Sequence, residues 1–307
     1  MSRPQAPRPV DRIVVLSLDS LCACAAVPVL VERLPGKIVG ICLSRRFGGK
    51  YGSVWAQATR NFNRSGFGFV VYTSLQTLLF YPMSFIAQAI DRLRRCPSPL
   101  YPLRQLARRN GIPIFSTRDP NNQGVVERIR SLKPDLIVIC YFDRVVRRQV
   151  LEIPGCGVIN VHPGLLPENR GPVPNVWAVI NGSDQVGATV HYVDGETLDT
   201  GPILKSAAIA RDPHESVLTL DCQLLRLGAR LAAEVVTEIE NGTTQETPQD
   251  PNAGRYFSFP TRADLQGFSQ RGGRLYRISD FVRQFFNPAE VAAVDGGVDR
   301  SPRQTVQ

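Results

Sequence analysis

Asn160, Val161, His162 and Pro163 follow one another at the end of a short β-branched run, and two of the four can handle a carbonyl group. With the two-residue period of a strand, Asn160 and His162 point to the same side. An amide donor beside an imidazole can hydrogen-bond one oxygen and stabilise the oxyanion formed when a nucleophile attacks its carbon. Such a site also needs a carboxylate to set the imidazole's protonation and help move protons. Asp199, in Leu198-Asp199-Thr200-Gly201, is the candidate. A competing reading, a histidine that caps a strand beside a satisfied asparagine, stands level with this one on periodicity alone. The chain has two more histidines. His191 falls on a strand, where a structural role is expected. His214 precedes a long helix and reads as a solvated turn residue.

The elements that must position these groups alternate. Residues 12–18, 37–43, 112–115, 135–141 and 157–161 are short, apolar, β-branched runs, and 100–109 and 122–132 read as helices between them. Continuous apolar strands separated by helices predict an α/β, Rossmann-like, mostly parallel sheet covered on both faces. In such a sheet, ligands bind at the carboxyl ends of the strands, which is where His162 falls. Two further strands, 187–194 and 202–209, flank the Asp199 turn. The longest helical pattern, 215–240, stops at Asn241-Gly242. The expected division is a disordered tail at 1–10, one catalytic domain at 11–242, a small C-terminal appendage at 243–290 and a disordered tail at 291–307.

Composition narrows the function class. The 307 residues carry 36 Lys and Arg against 27 Asp and Glu, a net +9, which favours anionic small molecules, RNA or acidic membranes without choosing among them. No RNA-binding motif or long basic run is visible, so nucleic acid is not favoured. Seven Cys form no pair with metal spacing, and several sit in apolar runs as free thiols do; a metal is not expected, and a reducing, cytoplasmic setting is. No run of about 18 uninterrupted apolar residues suggests a spanning helix.

The residues around His162 carry a more specific signal. Asn160-Val161-His162-Pro163-Gly164-Leu165-Leu166-Pro167, then Arg170-Gly171 and Pro174, closely resembles the signature of the 10-formyltetrahydrofolate-dependent formyltransferases. Gly187-Ala188-Thr189-Val190-His191 and Asp199-Thr200-Gly201-Pro202-Ile203 resemble its second half, in the same order. The resemblance covers roughly 130–240. It implies that 10-formyltetrahydrofolate donates a formyl group to an amine: Asn160 binds the formyl oxygen, His162 stabilises the oxyanion, and Asp199 tunes His162 and takes the amine proton through water. It also implies a pterin site near Tyr141, Phe142, Leu165, Asp194 and Gly195, although Leu165 and Leu166 read equally well as core.

The chain departs from the pattern in two places. The loop Leu18-Asp19-Ser20-Leu21-Cys22 lacks the glycine-rich phosphate cradle of members acting on glycinamide ribonucleotide. The region past 243 is too short and polar for the β-barrel usual in members that formylate tRNA. A small amine, with an amino-sugar nucleotide foremost, is the expected acceptor; methionyl-tRNA formylation and a non-catalytic folate-binding protein are the alternatives. Tyr256 and Phe257 are expected to clamp the appendage rather than stack on substrate.

An insertion at about 47–97 breaks the rhythm. Its apolar stretch, Val70 to Ile90, is flanked by Arg60, Arg64, Arg92, Arg94 and Arg95, and Pro82 is expected to kink or divide it. A helix pair packed over the sheet, a homodimer interface and membrane contact through 67–95 compete. Ser74, Gln76, Thr77 and Ser84 interrupt the stretch and no Trp stands at its edges, which favours packing or dimerisation over the membrane.

Overall fold

The computed structural model describes residues 7–46, 52–94, 100–195, 197–250 and 253–286; most of both expected tails, and Arg95, lie outside them. The elements run β1 (Ile13–Ser17), α1 (Leu21–Arg33), β2 (Ile38–Ser44), α2 (Val54–Ser65), α3 (Phe67–Thr77), α4 (Phe80–Arg94), α5 (Leu103–Arg109), β3 (Ile114–Thr117), α6 (Gln123–Ser131) and β4 (Leu136–Cys140). There follow α7 (Arg148–Leu151), β5 (Val158–His162), β6 (Asn169–Arg170), α8 (Pro174–Ile180), β7 (Gln185–Tyr192), β8 (Ile203–Ala210), α9 (Val217–Asn241), β9 (Arg255–Tyr256), α10 (Arg262–Gln270) and α11 (Ile278–Phe286).

Seven strands form one sheet in the order β3-β2-β1-β4-β5-β7-β8. The first five are mutually parallel, whereas β7 runs antiparallel to both β5 and β8. Period-2 alternation sorts the core. Ile13, Val15, Leu136 and Val138 pack with α1 and α9 on one face; Val14, Leu16, Ile137 and Ile139 pack with α6 and α7 on the other. The fold is thus the expected mostly parallel α/β sheet, with short C-terminal helices added.

Close approach of α9 fixes the height of β5. A Cβ built on Gly228 would lie 2.5 Å from Val161 Cγ1, so only glycine lets the helix seat against that strand. The helix ends as expected, with Gly242 at φ 67 in the left-handed region. Between β2 and α5, α2, α3 and α4 replace the usual short crossover. The chain breaks between α3 and α4, whose axes bend by 47°. Pro82 therefore divides nothing. It sits in the first turn of α4, where its missing N–H leaves no helical bond unmade.

Candidate active site

β5 delivers Asn160 and His162 to the carboxyl end of the sheet, and the antiparallel register sets His191 directly opposite Asn160. Asp199 comes from the β7–β8 connection. Its backbone lies at φ 58, a left-handed conformation that costs a residue with a Cβ roughly 1–3 kcal/mol unless its surroundings hold it. Three contacts hold it. Gly171 N–H donates to Asp199 Oδ2 at 2.9 Å, and the Gln249 amide donates to the backbone carbonyls of Asp199 and Gly201 at 3.2 and 2.6 Å. Gly171, at φ 118, can be nothing larger, because its Cβ would fall 2.0 Å from the Phe257 carbonyl oxygen.

The structure therefore brings Asn160, His162 and Asp199 together. His162 Nδ1 lies 3.6 Å from Asp199 Oδ1, and His191 Nε2 lies 3.6 Å from the same oxygen. The Asn169 carbonyl, 2.8 Å from His162 Nε2, can only accept, so Nε2 carries the hydrogen and Nδ1 faces Asp199. By the same logic His191 Nδ1–H donates to the Tyr192 carbonyl at 2.8 Å, leaving Nε2 to accept from Asn160 Nδ2 at 3.1 Å. Asn160 thus keeps one amide hydrogen for another acceptor.

Electrostatics separates the roles. Burial is the largest influence on His162 and pushes its pKa below the ordinary value, while Asp199 pulls the other way. At neutral pH the ring rests uncharged. Burial would raise Asp199, but His162, His191 and the Gly171 N–H outweigh it and hold the carboxyl well below the usual carboxylate range. The pair is thus a neutral imidazole beside a fixed carboxylate.

These groups stand at one end of a cavity of about 390 Å³ with mainly apolar walls. Ile139, Tyr141, Phe142, Val146 and Val193 form part of its wall, α3 covers it with Phe69, Tyr72, Thr73 and Gln76, and Arg46 and Arg144 also line it. Of the expected pterin residues, Tyr141, Phe142 and Gly195 line the cavity. Leu165 and Asp194 do not. The Leu165 side chain packs on β7, where a Cβ on Gly187 would meet its Cδ2 at 2.5 Å, and Asp194 is exposed. Tyr141, at φ 59, donates its hydroxyl to Gln76 Oε1 at 2.7 Å.

Three contributors were missed by sequence reasoning. His191 was expected to be structural; alternation on two neighbouring antiparallel strands would have placed it beside Asn160. Gln249 lies in a polar stretch with no sequence signal, and Gln76 looked like an interruption in an apolar run. Tyr256 and Phe257 have different surroundings: Phe257 stacks on Trp177 with centroids 4.8 Å apart, while Tyr256 lines the cavity. His214 takes an exposed turn, its N–H bonded to Asp212 Oδ1.

A mostly parallel sheet of this strand order, with Asn160, His162, His191 and Asp199 clustered at the end of β5, defines the chain as an α/β protein. Residues 89–236 match the family described as Formyl transferase. It is 36% identical over 155 residues to a methionyl-tRNA formyltransferase of Trichlorobacter lovleyi, covering 50% of this chain and 49% of the relative. It is 37% identical over 196 residues to one from Geobacter metallireducens, covering 64% and 62%. The chain thus spans about half the length of the first of these relatives. An N-formyltransferase from Helicobacter canadensis, solved with folinic acid and dTDP-3-aminofucose, shares the fold at TM-score 0.51 and 16% identity, over 82% of this chain and 71% of that one.

Proposed function

We propose that the chain transfers a formyl group from a 10-formyltetrahydrofolate-type donor to a small amine, with Asn160, His162 and Asp199 as its catalytic set. The observation that carries this reading is the convergence of one spare amide hydrogen, one bare imidazole nitrogen and one fixed carboxylate at one end of an apolar cavity.

The free hydrogen of Asn160 Nδ2 holds the formyl oxygen. As the amine nitrogen bonds to the formyl carbon, the C=O electron pair moves onto oxygen and the nitrogen becomes acidic. Its proton passes to His162 Nδ1, and the imidazolium so formed faces the new oxyanion while Asp199 stabilises its charge. Collapse re-forms the C=O bond and breaks the bond to the folate N10, which takes the proton from Nδ1. In this scheme Asp199 stabilises the proton rather than carrying it, because the tautomer leaves Nδ1 bare. The mainly apolar wall beside Tyr141 and Phe142 suits a flat pterin, and Arg46 and Arg144 suit an anionic tail.

For the acceptor, Tyr256 is the informative residue. It lines the cavity near Asp199 and is half exposed, so its ring is available to stack on a base. That supports an amino-sugar nucleotide, the ligand class named for the Helicobacter canadensis protein. The curated relatives carry the competing acceptor, methionyl-tRNA, in their names. Incubating the chain with 10-formyltetrahydrofolate and either amino-sugar nucleotides or charged initiator tRNA decides: formamide product with the sugars alone supports this reading, and product with tRNA alone replaces it. The buried free thiols Cys22, Cys24, Cys42, Cys140, Cys156 and Cys222 suit a cytoplasmic setting, and we place the protein there.

A further inference from the structure

The insertion has two unlike faces. Gln76, Thr77 and Ser84, three of the four polar residues that seemed to interrupt its apolar stretch, are buried, and Ser74 is half-buried. Gln76 bonds Asp221 at 2.9 Å, Thr77 donates to the Thr73 carbonyl at 2.7 Å, and Ser84 donates to the Tyr81 carbonyl at 2.8 Å. What remains outside is Leu78, Leu79, Pro82, Phe85 and Ile86, a stripe with helical spacing whose Phe85 and Ile86 are 63% and 50% exposed. The neighbouring α11 packs on α4 through a Phe80–Phe285 stack at 5.9 Å. It shows a second stripe, Ile278, Val282 and Phe286, with Ile278 58% exposed. Trp55, on α2, is also exposed, at 82%.

Charge selects the occupant. Residues 52–94 and 253–286 hold ten Arg and three Asp, a net +7 within a chain of net +9. Arg92, Arg274 and Arg283 are exposed. Of the acids, Asp264 is tied into the cap of α10 and Asp280 is buried as the acceptor of Ser216 Oγ at 2.6 Å. Scattered apolar side chains on a surface mean little, but two adjacent stripes within strongly basic segments mark an interaction site. A second copy would bring like charge against like charge. We propose that this face, α4 with α11, docks on an anionic lipid surface, its apolar stripes in the headgroup boundary and its arginines on the phosphates. α3, joined directly to α4, lines the catalytic cavity, so the docked face and the site belong to one inserted unit.

Flotation of the full chain with phosphatidylcholine vesicles containing phosphatidylglycerol tests this without any activity measurement, so it stands or falls apart from the formyl-transfer reading. The wild-type chain is expected to float with these vesicles, to be released by high salt and to stay below vesicles of phosphatidylcholine alone. Phe85→Ser with Ile86→Ser should cut partitioning roughly tenfold or more. Arg92→Glu with Arg283→Glu should cut it at least roughly fivefold for each residue, and carries the test if the serine pair unfolds. A wild-type chain that ignores anionic vesicles, or a folded variant pair that floats as well as wild type, overturns the proposal. So does a dimer mass in light scattering that falls to monomer in Phe85→Ser/Ile86→Ser, which would assign the face to a second copy.

Discussion

The end of β5 and the outer face of α4 both carry side chains that a stable fold does not require, yet they are held in opposite ways. Around His162 each side chain is anchored by a fixed neighbour, leaving one Asn160 amide hydrogen and His162 Nδ1 uncommitted: Nε2 on Asn169, Asp199 on Gly171, Asn160 on His191, the Asp199 backbone on Gln249. Such groups are oriented before any ligand arrives, which is what stabilising a developing charge demands. On α4 and at the break before it, the exposed leucine, phenylalanine and isoleucine side chains have solvent for a neighbour. Those suit a soft partner that needs area and charge rather than angles. The proposed chemistry would draw Asn160 and His162 from strand register, and the proposed contact would draw on helix periodicity.

That contrast can be broken from either side. His162→Ala should cut turnover roughly a hundredfold or more, the usual value of one oxyanion donor, while the thermal midpoint barely moves. Retention of more than half the wild-type rate would remove His162 from the catalytic set. Asp199→Asn should cost tens of fold, by roughly the worth of a charge-assisted contact, and should also move the pH profile. Wild-type kcat/KM should fall on acidification as His162 takes a proton, with its acid limb below the ordinary histidine value. Asp199 raises that value, so removing its charge should shift the limb to still lower pH; an unshifted limb would separate the two residues.

Where α9 meets the inner face of the insertion, Asp221 gives a smaller effect, in stability rather than rate. It is fully buried, takes hydrogen bonds from Tyr72, Gln76 and Asn175, and is pushed up by burial to about 6. A carboxyl raised in the folded state stabilises fully below its unfolded pKa and loses that contribution as pH rises through the folded value. Between about pH 5 and 7 this should remove on the order of 1 kcal/mol from wild type but not from Asp221→Asn, read as the difference between their denaturant curves. Parallel curves at both pH values would show that Asp221 does not titrate there. Smallest of all, Gln249→Ala should slow turnover by roughly threefold, the worth of a modest hydrogen bond, by loosening the left-handed turn at Asp199. A change in KM alone would instead make Gln249 a binding contact.

The expected strands match β1 to β5, β7 and β8 to within two residues, because buried strands, parallel or not, leave short apolar runs in the sequence. Asn160 and His162 were legible for the same reason: a strand end fixes which side chains share a side. Asp199 was legible only through its motif, since a loop residue has no period. His191 was hidden by treating β7 alone when its meaning lies in its pairing with β5. Leu165 and Asp194 do not line the cavity, because a motif gives neighbours in sequence but not the direction of a side chain. In the insertion, polarity was read as interruption, whereas Gln76 and Ser84 turn inward and leave the apolar positions outside. Gln249 left no trace at all, because a polar residue in a polar stretch carries no periodic signal.

The most direct test of the account is the carbonyl resonance of 10-[¹³C]formyltetrahydrofolate in the presence of the chain. Bound beside Asn160 and His162, the formyl carbon should move downfield, as a carbonyl does when its oxygen accepts hydrogen bonds, and the shift should shrink in Asn160→Ala while binding persists. Addition of the correct amine should then convert it to a formamide signal with wild type but not with His162→Ala. A donor that fails to bind, or that binds with its carbonyl resonance unmoved and indifferent to Asn160, would contradict the assignment of this site.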